Sequence, residues 1–113
     1  MTGVVDSNGA LSLSVKQQRS SAEVSAAGEV DIHTCGQLEE ALTGLVNGGV
    51  SRITLDLSEV AFIDSSGLRA LVVGHKALEE RGGSLVVANP STMAARLLEV
   101  TGLKTLFGGD GRA

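Results

Sequence analysis

The sequence predicts an α/β fold, a small mixed β-sheet of about four or five strands with helices packed on it. Three observations carry this. Segments that alternate apolar and polar residues, the period of a half-buried strand, trade places along the chain with segments whose apolar residues recur at helical spacing. The glycine pairs Gly48-Gly49, Gly82-Gly83 and Gly108-Gly109 fall between those segments, where chains turn. A chain of 113 residues with 42% hydrophobic residues can close one core and has no room for two, so residues 1–113 read as a single domain.

The elements follow in order. Ala10–Lys16 alternates, with Leu11, Leu13 and Val15 facing one way. Ala22–Val30 is a second strand with Val24, Ala26 and Val30 inward, and the polar Gln17–Ser21 turn makes the two a hairpin. Thr34-Cys35-Gly36-Gln37 fits a capping box that opens a helix, with Leu38, Ala41, Leu42, Leu45 and Val46 as its stripe and Asn47-Gly48-Gly49 as its stop. Arg52–Leu57 alternates again. Beyond Ser58-Glu59 comes a short apolar piece, Val60–Ile63. A second helix starts at Asp64-Ser65-Ser66-Gly67, with Leu68, Leu71, Val72, His75 and Leu78 on its apolar side. Ser84–Ala88 is almost wholly apolar, as expected of a strand buried on both faces. Pro90 and Ser91 open a third helix, with Met93, Leu97, Leu98 and Val100 apolar and Gly102 as its stop, and Leu103–Phe107 reads as a further edge strand. Met1–Asn8 and Gly108–Ala113 read as loose ends. The order is β-β-α-β-α-β-α. Strands joined through helices run parallel, because a parallel pair needs a long crossover.

Composition excludes several classes. Nine basic against 13 acidic residues leave a net charge of −4, which suits neither a nucleic acid backbone nor an anionic membrane. There is no Trp or Tyr, and Phe62 and Phe107 are the two aromatics, so a base-stacking platform is absent. No metal is expected, since His33, His75 and Cys35 are too few for a zinc set. No apolar run reaches the roughly 18 residues of a membrane span, and the start is unlike a signal peptide. A soluble domain in the cytoplasm is the expectation.

The residues able to carry chemistry cluster at the start of the second helix. Ser65 and Ser66 stand where a strand-like piece stops and a helix begins. A hydroxyl there is a natural cap for first-turn amides. The same amides and the helix dipole also favour an anion, so a phosphate on such a hydroxyl would be held. The local pattern leaves both readings open.

The wider pattern adds Gly28-Glu29-Val30-Asp31, Asp56-Leu57-Ser58, Phe62-Ile63-Asp64-Ser65-Ser66-Gly67-Leu68, Gly82-Gly83-Ser84-Leu85-Val86-Val87 and the run from Asn89-Pro90 to Gly102-Leu103. From about Gly28 to Phe107 the chain resembles the STAS domain family, and within it the bacterial anti-sigma factor antagonists. The resemblance implies a mixed sheet with helices on one side, and a non-enzymatic regulator with no cofactor of its own. It implies that the unphosphorylated protein binds an anti-sigma factor, itself a serine kinase, and so frees a sigma factor. Phosphorylation at Ser65 ends the binding and a serine phosphatase resets it. Asp31, Asp64, Ser66, Gly67, Leu68 and Arg69 map to the contact surface. Arg69 departs from the small residue found there in several family members. Some STAS domains are tails of anion transporters; with no membrane part in this sequence, a free-standing antagonist is expected. The alternative is a STAS scaffold that binds partners without phosphorylation.

The remaining polar and sulfur residues have plainer readings. Cys35, in the first turn of a helix, is a small packing residue. His75 is a satisfied, partly buried histidine and His33 an exposed one. Lys76 and Arg69 with Glu79 and Glu80 are most simply a solvated helix face, and Met93 and Leu97 are core. A serine hydrolase lacks its Gly-x-Ser-x-Gly elbow, and an acyl carrier protein would be all-helical.

Overall fold

A computed structural model describes residues 3–8 and 10–107. Its elements are β1 (Gly3–Asn8), β2 (Leu11–Gln18), β3 (Ser21–Val30), α1 (Cys35–Asn47), β4 (Arg52–Ile63), α2 (Ser65–Glu79), β5 (Ser84–Ala88) and α3 (Thr92–Thr101). The five strands form one mixed sheet in the order β1-β2-β3-β4-β5. β1, β2 and β3 are antiparallel neighbours, whereas β3-β4 and β4-β5 are parallel.

The sheet order explains where the helices lie. Two right-handed crossovers, β3-α1-β4 and β4-α2-β5, step in the same direction across the sheet and so place α1 and α2 on the same face. That face is the core: Leu11, Leu13, Val24, Ile53, Leu55, Leu57 and Leu85 are each at most 1% exposed and meet Leu38, Leu42, Leu71 and Leu78 from the helices. The opposite face is open and polar, with Ser14, Lys16, Glu23, Ser25 and Thr54 exposed.

Several expectations change. Gly3–Asn8 is a strand, not a loose end; it has no alternating pattern and owes its conformation to pairing along the free edge of β2. Gly108–Ala113 lies outside the described residues. Arg52–Leu57 and Val60–Ile63 are one strand broken in phase by two bulges. Ser25 faces Asp56 and Ala27 faces Glu59, then Gly28 faces Val60 and Glu29 faces Phe62, so β4 carries one extra residue at each shift. Each extra residue reverses the side-chain alternation. Leu57, Val60 and Ile63, three apart, therefore all point into the core, and Phe62 turns outward.

β5 is an edge strand with one open side. Leu85 is buried while Val86 is 39% exposed, because no helix covers the second face. Leu103–Phe107 forms a turn instead of a strand. Its one backbone bond to β5 is Val87 N–H to Phe107 O at 3.1 Å, and Phe107 plugs the core edge-on to His75, with ring centroids 5.7 Å apart. On α3 the buried positions are Ala94 and Leu98; Met93 and Val100 are exposed, since α3 packs chiefly on β4 and buries a narrow stripe.

Candidate functional site

Val30 and Ile63 are register partners at the C-terminal ends of β3 and β4. Adjacent parallel strands lie about 4.8 Å apart. The residues that follow, Asp31 on one strand and Asp64 on the other, therefore stand side by side at the same edge of the sheet. Asp64 N–H donates to Val30 O at 3.3 Å and ties the two ends together.

Each aspartate folds back onto the helix it precedes. Asp31 Oδ1 accepts from His33 N–H at 2.9 Å and Thr34 N–H at 3.2 Å. The His33 amide is the largest cause that holds the Asp31 carboxyl below its ordinary value; partial desolvation opposes it, and Thr34 adds to it. The buried Thr34 hydroxyl accepts from Asp31 N–H at 2.9 Å and donates to Glu29 O at 2.8 Å. This overturns the expected capping box. Thr34 turns back to brace the Asp31 turn and gives α1 no side-chain cap, while Gln37 reaches β2 instead, its Nε2 donating to Leu11 O at 3.3 Å.

The start of α2 also differs from the serine cap of the sequence reading. Asp64 is the N-cap, and its Oδ1 accepts from Ser66 N–H at 2.9 Å and Gly67 N–H at 3.2 Å. Leu68 N–H is taken by Asp64 O at 3.0 Å. With the cap supplied from the preceding residue, the exposed Ser65 hydroxyl makes no hydrogen bond to any described residue. No base is bonded to it, so the arrangement does not activate it as a nucleophile.

The other expected contact residues divide by burial. Ser66 is half-buried and Arg69 exposed. Leu68 is 5% exposed and belongs to the core, so it offers a partner almost no surface in this conformation. Gly67 is buried for a different reason. A Cβ there would lie 2.7 Å from Ile63 Cγ1 and 2.8 Å from Val30 O, so only glycine lets α2 seat against the ends of β3 and β4. Ile32, 68% exposed on the Asp31–Thr34 turn, was missing from the sequence reading. An aliphatic residue between two polar ones at a strand-to-helix turn was its available signal.

Asp56 has a structural task farther back along β4, opposite Ala88. Its Oδ1 accepts from Ser58 N–H at 2.8 Å and its Oδ2 from Asn89 Nδ2 at 3.3 Å, joining β4 to the connection before α3. Bonds from Ser58 first, and Asn89 after desolvation, hold its carboxyl low. Among the described residues no group of three or more His, Cys, Asp or Glu could hold a metal ion, and no helix is long and apolar enough to cross a membrane.

Comparison with known proteins agrees with this geometry. The family model described as Mlab, STAS domain, matches residues 13–108. The chain belongs to the STAS domain family. The anti-sigma-B factor antagonist of Bacillus subtilis is 34% identical over 97 residues, covering 86% of this chain and 88% of that protein. The crystal structure of an anti-sigma factor antagonist from Mycobacterium paratuberculosis superposes with a TM-score of 0.72 at 31% identity, over 86% of this STAS domain and 82% of that chain. SpoIIAA in its unphosphorylated form gives 0.76 at 22% identity, over 83% of this chain and 84% of that one. The phosphorylated form of SpoIIAA, from Bacillus, gives 0.69 at 23%, over 83% and 86%. At those identities the SpoIIAA likeness is one of fold. Within the STAS family this chain groups with the anti-sigma factor antagonists.

Proposed function

We propose that this STAS domain binds an anti-sigma factor serine kinase while Ser65 is unphosphorylated, and that phosphorylation of Ser65 ends the binding. The carrying observation is the Ser65 hydroxyl itself, exposed and without a hydrogen bond to any described residue at the first position of α2, because Asp64 has taken over the capping. The names of the relatives support the antagonist role. The two forms of SpoIIAA support a switch made by phosphate on this fold.

In the proposed step Ser65 Oγ takes the γ-phosphoryl group of the kinase's ATP, ADP leaves, and the hydroxyl proton passes to solvent. The surface around Ser65 then gains about −1.5 to −2 charge next to Asp64 and the end of β3 at Asp31. A partner that had closed over a neutral hydroxyl between two carboxylates must now accommodate a dianion. Repulsion and desolvation cost several kcal/mol at such a contact, roughly a hundredfold or more in affinity. A serine phosphatase resets the switch, and the cytoplasm is where such a regulator meets its sigma factor.

The test is to incubate the protein with candidate anti-sigma kinases and ATP and to weigh it. The expected result is a gain of one phosphate that Ser65→Ala abolishes and Ser66→Ala retains. Binding to such a kinase with no phosphate on either serine would replace the switch with a phosphorylation-independent scaffold.

A further inference from the structure

We propose that Arg69 is an intramolecular clamp for the phosphate on Ser65, an inference that rests on the phosphorylation reading above. Ser65 opens α2 and Arg69 stands four residues later, both exposed. Residues four apart lie one above the other on a helix face, and side chains lean toward the N-terminus, so the Arg69 stem lies over the turn that carries Ser65. An anion placed four residues before a cation is also the favourable order along a helix.

The rest of the turn leaves this guanidinium as the cation for the phosphate. Three of the four first-turn amides are occupied: Ser66 and Gly67 N–H by Asp64 Oδ1, and Leu68 N–H by Asp64 O. Of the near side chains, Asp64 and Asp31 are carboxylates, and the exposed His33 imidazole, close enough to act on Asp31, belongs to the turn before α1. Among the described residues Arg69 forms no ion pair; the only side-chain pair of that kind is His75 with Glu79. The guanidinium is thus uncommitted before phosphorylation, and its planar fork can give two parallel N–H···O bonds to a phosphate. One covalent event then alters the surface twice. It adds a dianion and takes from the partner the one cation of the first two turns of α2.

The test uses full-length protein carrying phosphoserine at 65, introduced during translation so that no kinase is required. The phosphoserine is titrated by phosphorus NMR in the parent, in Arg69→Ala, in Arg69→Lys, and in Lys76→Ala as a remote-cation control. The second ionisation of a free phosphoserine lies near pH 6. The clamp lowers it by about half a unit in the parent, and high salt weakens the shift. Arg69→Ala abolishes the shift, Arg69→Lys keeps part of it, and Lys76→Ala keeps all of it. Identical titrations for the parent and Arg69→Ala, with both folded by circular dichroism, overturn the clamp. That result leaves the switch itself standing, since the switch is judged by the kinase experiment.

Discussion

Three side chains in a row at the start of α2, Asp64, Ser65 and Ser66, are all good helix caps, and their order decides which is used. Asp64 stands one residue before the helix, where its carboxylate reaches the amides of Ser66 and Gly67. Ser65, one position later, is left with a hydroxyl that faces solvent. Cap substitutions therefore separate the two roles. Asp64→Ala should cost about 0.5–2 kcal/mol. Ser65→Ala should stay within about 0.5 kcal/mol, as an exposed side chain without a bond does. Urea denaturation of both variants checks this; equal losses would return the cap to Ser65. Composition and spacing marked where α2 starts, but a string of polar residues does not say which oxygen faces which amide. Thr34 shows the same limit. Its spacing to Gln37 suggested a capping box, yet the hydroxyl turned the other way to bond Glu29 O.

At the level of elements, the sequence patterns located β2, β3, β5 and the three helices, with the apolar faces of α1 and α2 but not that of α3, where Met93 and Val100 are exposed. What they could not locate depends on neighbours. β1 is a strand because β2 offers an edge, and β4 is one strand because two bulges re-phase it against β3. A pattern that skips phase looks like two pieces. The second bulge matters for the site, since it brings Ile63 into the core just before Asp64. Gly67 then meets Ile63 and Val30 at close range, and this contact fixes where α2 begins. Gly67→Ala should therefore destabilise the domain by about 1–3 kcal/mol through overpacking against Val30 O, a backbone atom that yields little. Thermal melting measures it. An unchanged melting temperature would mean that α2 does not seat as tightly as described.

Across the whole molecule, β3 and β4 end side by side at Val30 and Ile63 and bring the starts of α1 and α2 together, whereas β5 ends earlier, opposite Asp56, and α3 starts beside Leu57. Asp31 and Asp64 stand there side by side, while Asp56 lies farther back on β4 opposite Ala88, and each of the three accepts a backbone amide. Asp31 and Asp56 are both held below their ordinary value of 3.8. A carboxyl depressed in the folded state contributes stability that is complete above its unfolded pKa and is lost as pH falls through the lower folded one. Stability should thus decline below about pH 4, and Asp31→Asn and Asp56→Asn should each flatten that decline while leaving its neutral-pH side unaltered in slope. Denaturant midpoints across the acid range check it; an unflattened decline in both variants would place the acid-sensitive groups elsewhere. Sequence resemblance singled out Asp31 and Asp64 as neighbours of the proposed site, whereas the amides that each aspartate accepts depended on the fold.

The central claim is that charge at Ser65 governs partner binding. It is tested most directly by calorimetric titration of one anti-sigma factor with the unmodified protein and with the same protein carrying phosphoserine at 65. The account predicts binding by the unmodified form and an affinity weaker by roughly a hundredfold or more for the phosphorylated one. Equal affinities for the two forms would contradict it.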